Sequence, residues 1–292
     1  MKTVIQDHRK IVWLASYPKS GNTWFRAFLT TLTKDGDLDI NNLQTHGIFS
    51  NRKQFEEITQ LDSFQLDKEK IWELLPEVYT QKAQRSQQPL FIKIHDAYSF
   101  NRLGKPIVPT EVSLGVIYLI RNPLDIAGSL ANHMGLTITG AVNLMNREDS
   151  TLAKQESDIK NNRQLPQLMR SWSQHVESWV HNGNIPVEVL RYEDLLLKPV
   201  ETFTKAVRFM GLQKSDVQIR QAVEATSFQH LKRQEVKNGF RERIQPYGRF
   251  FRKGKAGSWR RELGDKRIAS LIGKHKNVMQ QFGYLSEVEA FA

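Results

Sequence analysis

Three groups of residues in this chain have the types and spacing to hold an anion and move a proton. The first is Tyr17-Pro18-Lys19-Ser20-Gly21-Asn22-Thr23-Trp24. It follows a short apolar run, Ile11-Val12-Trp13-Leu14-Ala15-Ser16, and precedes a stretch whose Trp24, Phe25, Phe28 and Leu29 fall on one helical face. A strand entering a helix through such a turn aims several backbone N–H groups and the positive end of the helix dipole at one point, which is an anion site. The second group is Lys93 and His95, at the end of the apolar run Pro89 to His95; alternation places both on one face with Phe91. A cation beside an imidazole at the end of a strand can stabilise charge and accept a proton. The third is Arg121, directly after the continuously apolar Val116-Ile117-Tyr118-Leu119-Ile120, with Ser129 about two turns along the helix that follows. A basic run from Arg249 to Arg261, interrupted by Gly254 and Gly257, reads as a further phosphate-binding loop.

The lysine of the first loop precedes Gly21. In the nucleotide-triphosphate loop Gly-x-x-x-x-Gly-Lys-Ser/Thr it follows the second glycine, so this is a different anion loop. No clear acidic Mg²⁺ ligand stands at the end of an apolar strand, and a metal-independent reaction is expected; Asp125 and Asp194 are the carboxylates that speak against it.

These groups require strands that end at a common edge. Apolar strands at Ile11–Ser16, Pro89–His95, Val116–Ile120 and Val187–Leu190 alternate with helical stretches, which predicts an α/β fold: a central parallel sheet with helices on both faces. Helices are expected around Lys70–Thr80, Pro123–Asn132, Leu165–Val180, Pro199–Met210, Ser215–Ala225 with Ser215 as N-cap, and Ser258–Phe282. Three stretches lack periodicity: Asp35–Gln88 outside its one helix, Met134–Gln164 as a lid or surface insert, and Arg233–Gly248. No linker divides residues 1–292, so one domain is expected. His46, His175 and His181 read as surface or structural, and His133 as a candidate for an acceptor pocket.

At 292 residues the chain can bury a sizeable core, and 39% hydrophobic and 10% aromatic residues place it among globular proteins. The absence of cysteine excludes disulfides, thiolate metal sites and a cysteine nucleophile. No apolar run approaches the roughly 20 residues of a membrane span, and Met1–Lys10 lacks the apolar core of a secretory signal, so a cytoplasmic protein is expected. A net charge of +11 favours a polyanionic partner: nucleic acid, anionic lipid or a phosphorylated small molecule.

The loop Tyr17 to Trp24 resembles the phosphosulfate-binding loop of cytosolic-type sulfotransferases, which use 3′-phosphoadenosine 5′-phosphosulfate (PAPS). Four further stretches match that family in order: Lys93-Ile94-His95; Ile120-Arg121-Asn122-Pro123-Leu124-Asp125 through Ser129; Arg191-Tyr192-Glu193-Asp194; and Arg252-Lys253-Gly254-Lys255-Ala256-Gly257-Ser258-Trp259. The resemblance spans residues 11 to 259. It implies that Lys19, Ser20, Gly21, Asn22 and Thr23 hold the 5′-phosphosulfate, and that Arg121, Ser129, Arg252, Lys253 and Gly254 clamp the 3′-phosphate. It further implies that Trp24, Tyr192, Thr226 and Phe228 surround the adenine. His95 would be the general base, with Lys19 and Lys93 assisting at the charged oxygens. PAPS would be the donor and 3′-phosphoadenosine 5′-phosphate (PAP) the product, with a hydroxyl or amine of a small molecule as acceptor, and neither nucleic acid nor membrane as partner. Asn22 stands where threonine is usual, and Ser258 where aspartate is common. Asp96-Ala97 replaces the frequent Leu-Pro after the histidine. Arg260-Arg261-Glu262-Leu263-Gly264-Asp265 lacks the Thr-Val core of the family's dimerisation motif, which leaves the oligomeric state open. The competing readings are a small-molecule kinase on the same sheet topology and a basic nucleic-acid-binding module; the latter gives no role to Lys19, His95 and Arg121 at strand ends.

Overall fold

The computed structural model describes residues 10–34, 37–43, 45, 51–153, 164–245 and 248–289. Its strands are β1 (Ile11–Ser16), β2 (Leu90–Ile94), β3 (Ser113–Ile120), β4 (Thr151–Leu152), β5 (Gln167–Leu168) and β6 (Val187–Arg191). Four of them form an all-parallel sheet in the order β2-β1-β3-β6, and β4 with β5 makes a short antiparallel ribbon. Every residue of β1 is buried, as a strand covered on both faces requires. Alternation along it sends Ile11, Trp13 and Ala15 into one core and Val12 and Leu14 into another. The register aligns the carboxyl ends: Ala15 lies beside Ile94, Ser16 beside Leu119, and Ile120 beside Arg191. The residues that follow these strands therefore emerge along one edge of the sheet, where open α/β sheets bind ligands.

Helices cover both faces, as the alternation predicts. In chain order they begin with α1 (Asn22–Thr33), α2 (Arg52–Thr59), α3 (Lys68–Arg85), α4 (Pro123–Met134), α5 (Ile138–Asn146), α6 (Trp172–Val180) and α7 (Tyr192–Leu197). They continue with α8 (Pro199–Phe209), α9 (Asp216–Ala225), α10 (Phe228–Asn238), α11 (Trp259–Glu262), α12 (Asp265–Gln281) and α13 (Tyr284–Glu289). Phe25 and Phe28 of α1 pack with Phe203 of α8 and Ile219 of α9 on the Val12–Leu14 face. Trp72 and Tyr79 of α3, Leu130 of α4, Trp172 and Trp179 of α6 and Leu271 of α12 close the other face.

Several boundaries depart from the sequence expectation. The predicted helix from Leu165 is non-helical through Arg170, with Gln167–Leu168 in a strand and Arg170 left-handed at φ 58°, and α6 starts only after Ser171, which forms a capping box with Gln174. The backbone of 168–170 is captured from outside: Asp96 accepts from the Leu168 N–H at 2.9 Å, and Ser150 O accepts from Met169 N–H at 2.8 Å. Helix α5 lies within the stretch expected to be irregular, and α10 occupies the start of Arg233–Gly248. Each buries few side chains (Ala141, Val142 and Met145; Leu231 and Glu235), so the apolar stripe that signals a helix is thin. The expected terminal helix breaks at Leu263-Gly264 into α11 and α12. Helix α3 runs longer than Lys70–Thr80 and contains Pro76, and α2 was unmarked by periodicity. Ser215 caps α9 as expected, accepting from the Gln218 N–H. His46 lies outside the described residues. Among the described residues no helix is long and apolar enough to cross a membrane.

Candidate active site

Gly21 begins α1 in the left-handed region (φ 101°), and a Cβ there would lie 2.8 Å from the Tyr192 ring, so only glycine lets that ring close on the loop. Lys19 is also left-handed, at φ 72°, which is uncommon for a residue with a side chain. Arg121 ties this loop to the C-terminal one. Its guanidinium donates to Lys19 O at 3.1 Å and to Lys255 O at 3.4 Å, and stacks 4.1 Å from the Tyr192 ring centre. The C-terminal loop is pinned by Asp125, in the first turn of α4, which accepts from the Gly257 N–H at 2.7 Å and the Trp259 N–H at 3.0 Å. Gly254, again left-handed at φ 63°, carries the Phe228 ring where a Cβ would overlap it.

His95 sits at the end of β2 with Nδ1 2.7 Å from Ser16 O. A carbonyl only accepts, so Nδ1 carries the hydrogen and the neutral ring keeps its lone pair on Nε2. Burial, then the charge of Lys93, hold this imidazole well below its usual 6.5, against the opposing bond to Ser16. Behind it runs a directed relay. The Tyr118 hydroxyl donates to His175 Nδ1 at 2.8 Å, and His175 Nε2–H donates to His95 O at 3.1 Å. Burial keeps His175 neutral, its pKa lowered to about 3. His175 is thus structural, as its sequence context indicated, and its particular work is to hold the backbone of His95.

The cations beside His95 are compensated by a carboxylate that sequence reasoning passed over. Glu242 accepts from Arg26 at 2.7 Å and from Lys93 at 3.3 Å. Burial raises its pKa, but Lys93 and Arg26 outweigh that and bring it down to about 2. Lys19 is half-buried, with its Nζ 3.7 Å over the centre of the Phe250 ring. Burial, followed by Lys93 and Arg121, lowers it to about 7, while Glu242 and Glu235 pull the other way. Phe250 also meets His133 edge-on at 5.6 Å; burial, then Lys19 and Lys93, lower His133 to about 3.

Lys19, Lys93, His95, Arg121 and Glu242 line one cavity of about 720 Å³. Every site residue expected from the sequence lines it except Ser20 and Thr226. The Thr226 hydroxyl donates to Ala222 O at 2.7 Å, inside the last turn of α9. Ser20 is fully buried behind the loop. Asn22 lines the cavity but turns its amide N–H groups to Leu14 O (2.8 Å) and Ser16 Oγ (3.1 Å), so it braces the loop against the strand end beside His95. His133 lines the cavity too. Ser20 Oγ, Asn22 Oδ1, Arg121 Nε and Ser258 Oγ are buried without a hydrogen-bond partner among the described residues. Polar atoms left this way at an anion loop fit a polar ligand that completes them. Asp194 lies 3.6 Å from Arg191, and with Asp125 spent on backbone N–H groups neither carboxylate is placed as a metal ligand. Among the described residues no cluster of three or more His, Asp or Glu side chains has metal-holding geometry. The positioning residues Ser16 and Tyr118 carried no signal of their own in the sequence, and Asp125 was marked there as a metal carboxylate and not as a loop anchor; Glu242 lay in a stretch without periodicity.

The sulfotransferase domain model matches residues 9–283 of the chain. Human sulfotransferase 1E1 is 26% identical over 258 residues, covering 85% of this chain and 76% of that protein. The luciferin sulfotransferase of Photinus pyralis is 23% identical, covering 90% and 70%. Among solved structures, mouse sulfotransferase SULT7A1 complexed with PAP superposes with a TM-score of 0.62 at 19% identity, covering 97% of this chain and 89% of that one. Retinol dehydratase in complex with androsterone and inactive cofactor PAP gives 0.59 at 19%, covering 92% and 80%. The structural likeness shows a shared fold, and the match of the domain model over nearly the whole length shows more: the chain belongs to the sulfotransferase family.

Proposed function

We propose that the protein transfers a sulfuryl group from PAPS to a hydroxyl or amine of a small-molecule acceptor. The observation that carries this is the pairing of two separate anion sites in one cavity: the Lys19 loop at the start of α1, and the Arg121, Ser129, Arg252 and Lys253 group between α4 and the C-terminal loop. A nucleotide phosphorylated at both the 5′ and 3′ positions needs two such sites, with a flat apolar slot beside them. Tyr192 pressed on Gly21 and Phe228 pressed on Gly254 offer the rings for that slot. The PAP bound in the mouse and retinol dehydratase structures agrees with this reading.

In the reaction, an acceptor oxygen or nitrogen bonds to sulfur while the bond between sulfur and the 5′-phosphate oxygen breaks. The acceptor's proton passes to His95 Nε2, the one ring nitrogen left free by the bond to Ser16 O. Lys19 and the N–H groups at the start of α1 stabilise the negative charge that builds on the departing phosphate oxygen. Lys93, held by Glu242 at 3.3 Å, is placed to steady the sulfuryl oxygens. Positioning and electrostatics supply most of the catalysis in the related phosphoryl transfers, and the same parts are present here.

The acceptor end mixes Leu130, Met134, Leu152 and Ile244 with His133, Gln167, Arg241 and Arg243. That lining suits a partly polar small molecule. The test is a transfer screen with radiolabelled PAPS across alcohols, phenols, amines and sugars, with and without Mg²⁺, and with ATP as a parallel donor. Label transfer from PAPS to at least one class is expected; transfer from ATP alone would overturn the proposal in favour of a kinase.

A further inference from the structure

Arg252 and Lys253, assigned above to the 3′-phosphate, both end on a carboxylate of the chain itself. Arg252 donates to Glu262 through two bonds, Nη1 to Oε1 at 2.5 Å and Nη2 to Oε2 at 3.0 Å, and Lys253 Nζ donates to Oε1. Glu262 comes from the last turn of α11, within the segment Arg260 to Asp265 that departs from the family's dimerisation motif. Its side chain is 15% exposed, and its carboxylate rests on α4 at Gly128. A Cβ on Gly128 would overlap Glu262 Oε2, and Ser129 follows directly, so the missing side chain is what admits the carboxylate. The position enclosed by Arg252, Lys253 and the Gly128-Ser129 turn thus already holds two acceptor oxygens facing a guanidinium fork. A phosphate presents that fork with the same pair of acceptors.

We propose that Glu262 is a built-in competitor for the nucleotide's 3′-phosphate: binding moves Arg252 and Lys253 from carboxylate to phosphate, and Glu262 takes them back when the product leaves. The proposal rests on the nucleotide reading above. It makes Glu262 a determinant of how strongly the 3′-phosphate is read, with a definite sign. A residue that merely braced Arg252 would strengthen nucleotide binding; a competitor weakens it.

The test compares PAP with adenosine 5′-monophosphate, which lacks the 3′-phosphate, by calorimetric titration of the wild type and Glu262→Gln. Taking both affinities on the same protein cancels any general loss of stability in the variant. The competitor role predicts that the preference for PAP over the monophosphate rises roughly three- to tenfold in Glu262→Gln, the scale of a charged hydrogen-bonded pair discounted for partial exposure. PAP release, followed by stopped flow, slows correspondingly. The added substitution Arg252→Ala removes the gain. An unchanged or reduced preference in Glu262→Gln, including equal tightening of both nucleotides, overturns the proposal while leaving the donor assignment standing. A wild-type protein without preference for PAP would overturn the donor assignment itself, and Glu262's role with it.

Discussion

The two ends of the cavity are built in different ways. On the donor side, Lys19, Arg121 and Tyr192 each stand just past the carboxyl end of a parallel strand, and the sheet register fixes their relative places. Hydrogen bonds then lock loop to loop: Arg121 to Lys19 O and Lys255 O, and Asp125 to the Gly257 and Trp259 N–H groups. On the acceptor side the lining comes from the end of α4, the β4–β5 ribbon and the connection from α10 to α11. Among the described residues, that side meets the donor side through Glu242 on Arg26 and Lys93, Phe250 on Lys19, and Leu168 on Asp96 and Ala97. On the proposed function, a nucleotide common to many reactions meets a sheet-anchored frame, and the acceptor meets connections that can change without disturbing the sheet.

Substitutions can break this contrast at its joints. The largest effect is expected at His95, which belongs to both ends: His95→Ala should lower kcat roughly 10²- to 10⁴-fold in a PAPS transfer assay. PAP affinity by titration should hardly move; its loss in a folded variant would make His95 part of the donor frame and not the base. Next comes Arg121→Ala. Removing a charged hydrogen-bonding group of this kind costs about 1.5–3 kcal/mol, so PAP affinity should fall roughly ten- to hundredfold. Adenosine 5′-phosphosulfate, which lacks the 3′-phosphate, should lose less; an equal loss would refute the 3′-phosphate assignment. A smaller effect probes the link between the two ends through pH. The proposed roles, Lys19 as a cation and His95 as a neutral base, require kcat/KM to be level above the depressed His95 pKa and to fall as pH rises through about 7, where free Lys19 loses its proton. Glu242→Gln removes a charge that raises the Lys19 pKa, and should move this alkaline limb to lower pH. An unmoved limb would separate Glu242 from Lys19. In kcat the limb should lie higher, because a bound anion favours the charged lysine.

What the sequence made legible follows the same division. The strands, the turn before α1, and His95 and Arg121 at strand ends could be read because parallel strands are continuous apolar runs and their last residues face the ligand edge. Asn22 was read as a phosphate ligand from its place in the resembling loop, where threonine is usual. Its amide bonds to Leu14 O and Ser16 Oγ become apparent only when the loop is folded over the strand. Thr226 likewise has its hydroxyl taken by the preceding turn. The break before α6 was hidden because Leu165, Leu168 and Met169 keep helical spacing, whereas the capture of their backbone depends on Asp96 and Ser150, 72 and about 20 residues away. Glu242 and Glu262 were invisible for a related reason: a glutamate in a charged stretch gains its meaning from the partner it meets across the fold.

Lys19 holds a backbone conformation that a glycine adopts freely, and rests its ammonium on the Phe250 ring besides. A left-handed residue with a side chain costs about 1 kcal/mol or more. Lys19→Gly should therefore raise the melting temperature while ending turnover, as thermal denaturation and a transfer assay would register. A campaign that ranked variants of this protein by heat resistance alone would carry that inactive chain forward. Any effort to harden the enzyme must keep this residue out of its library.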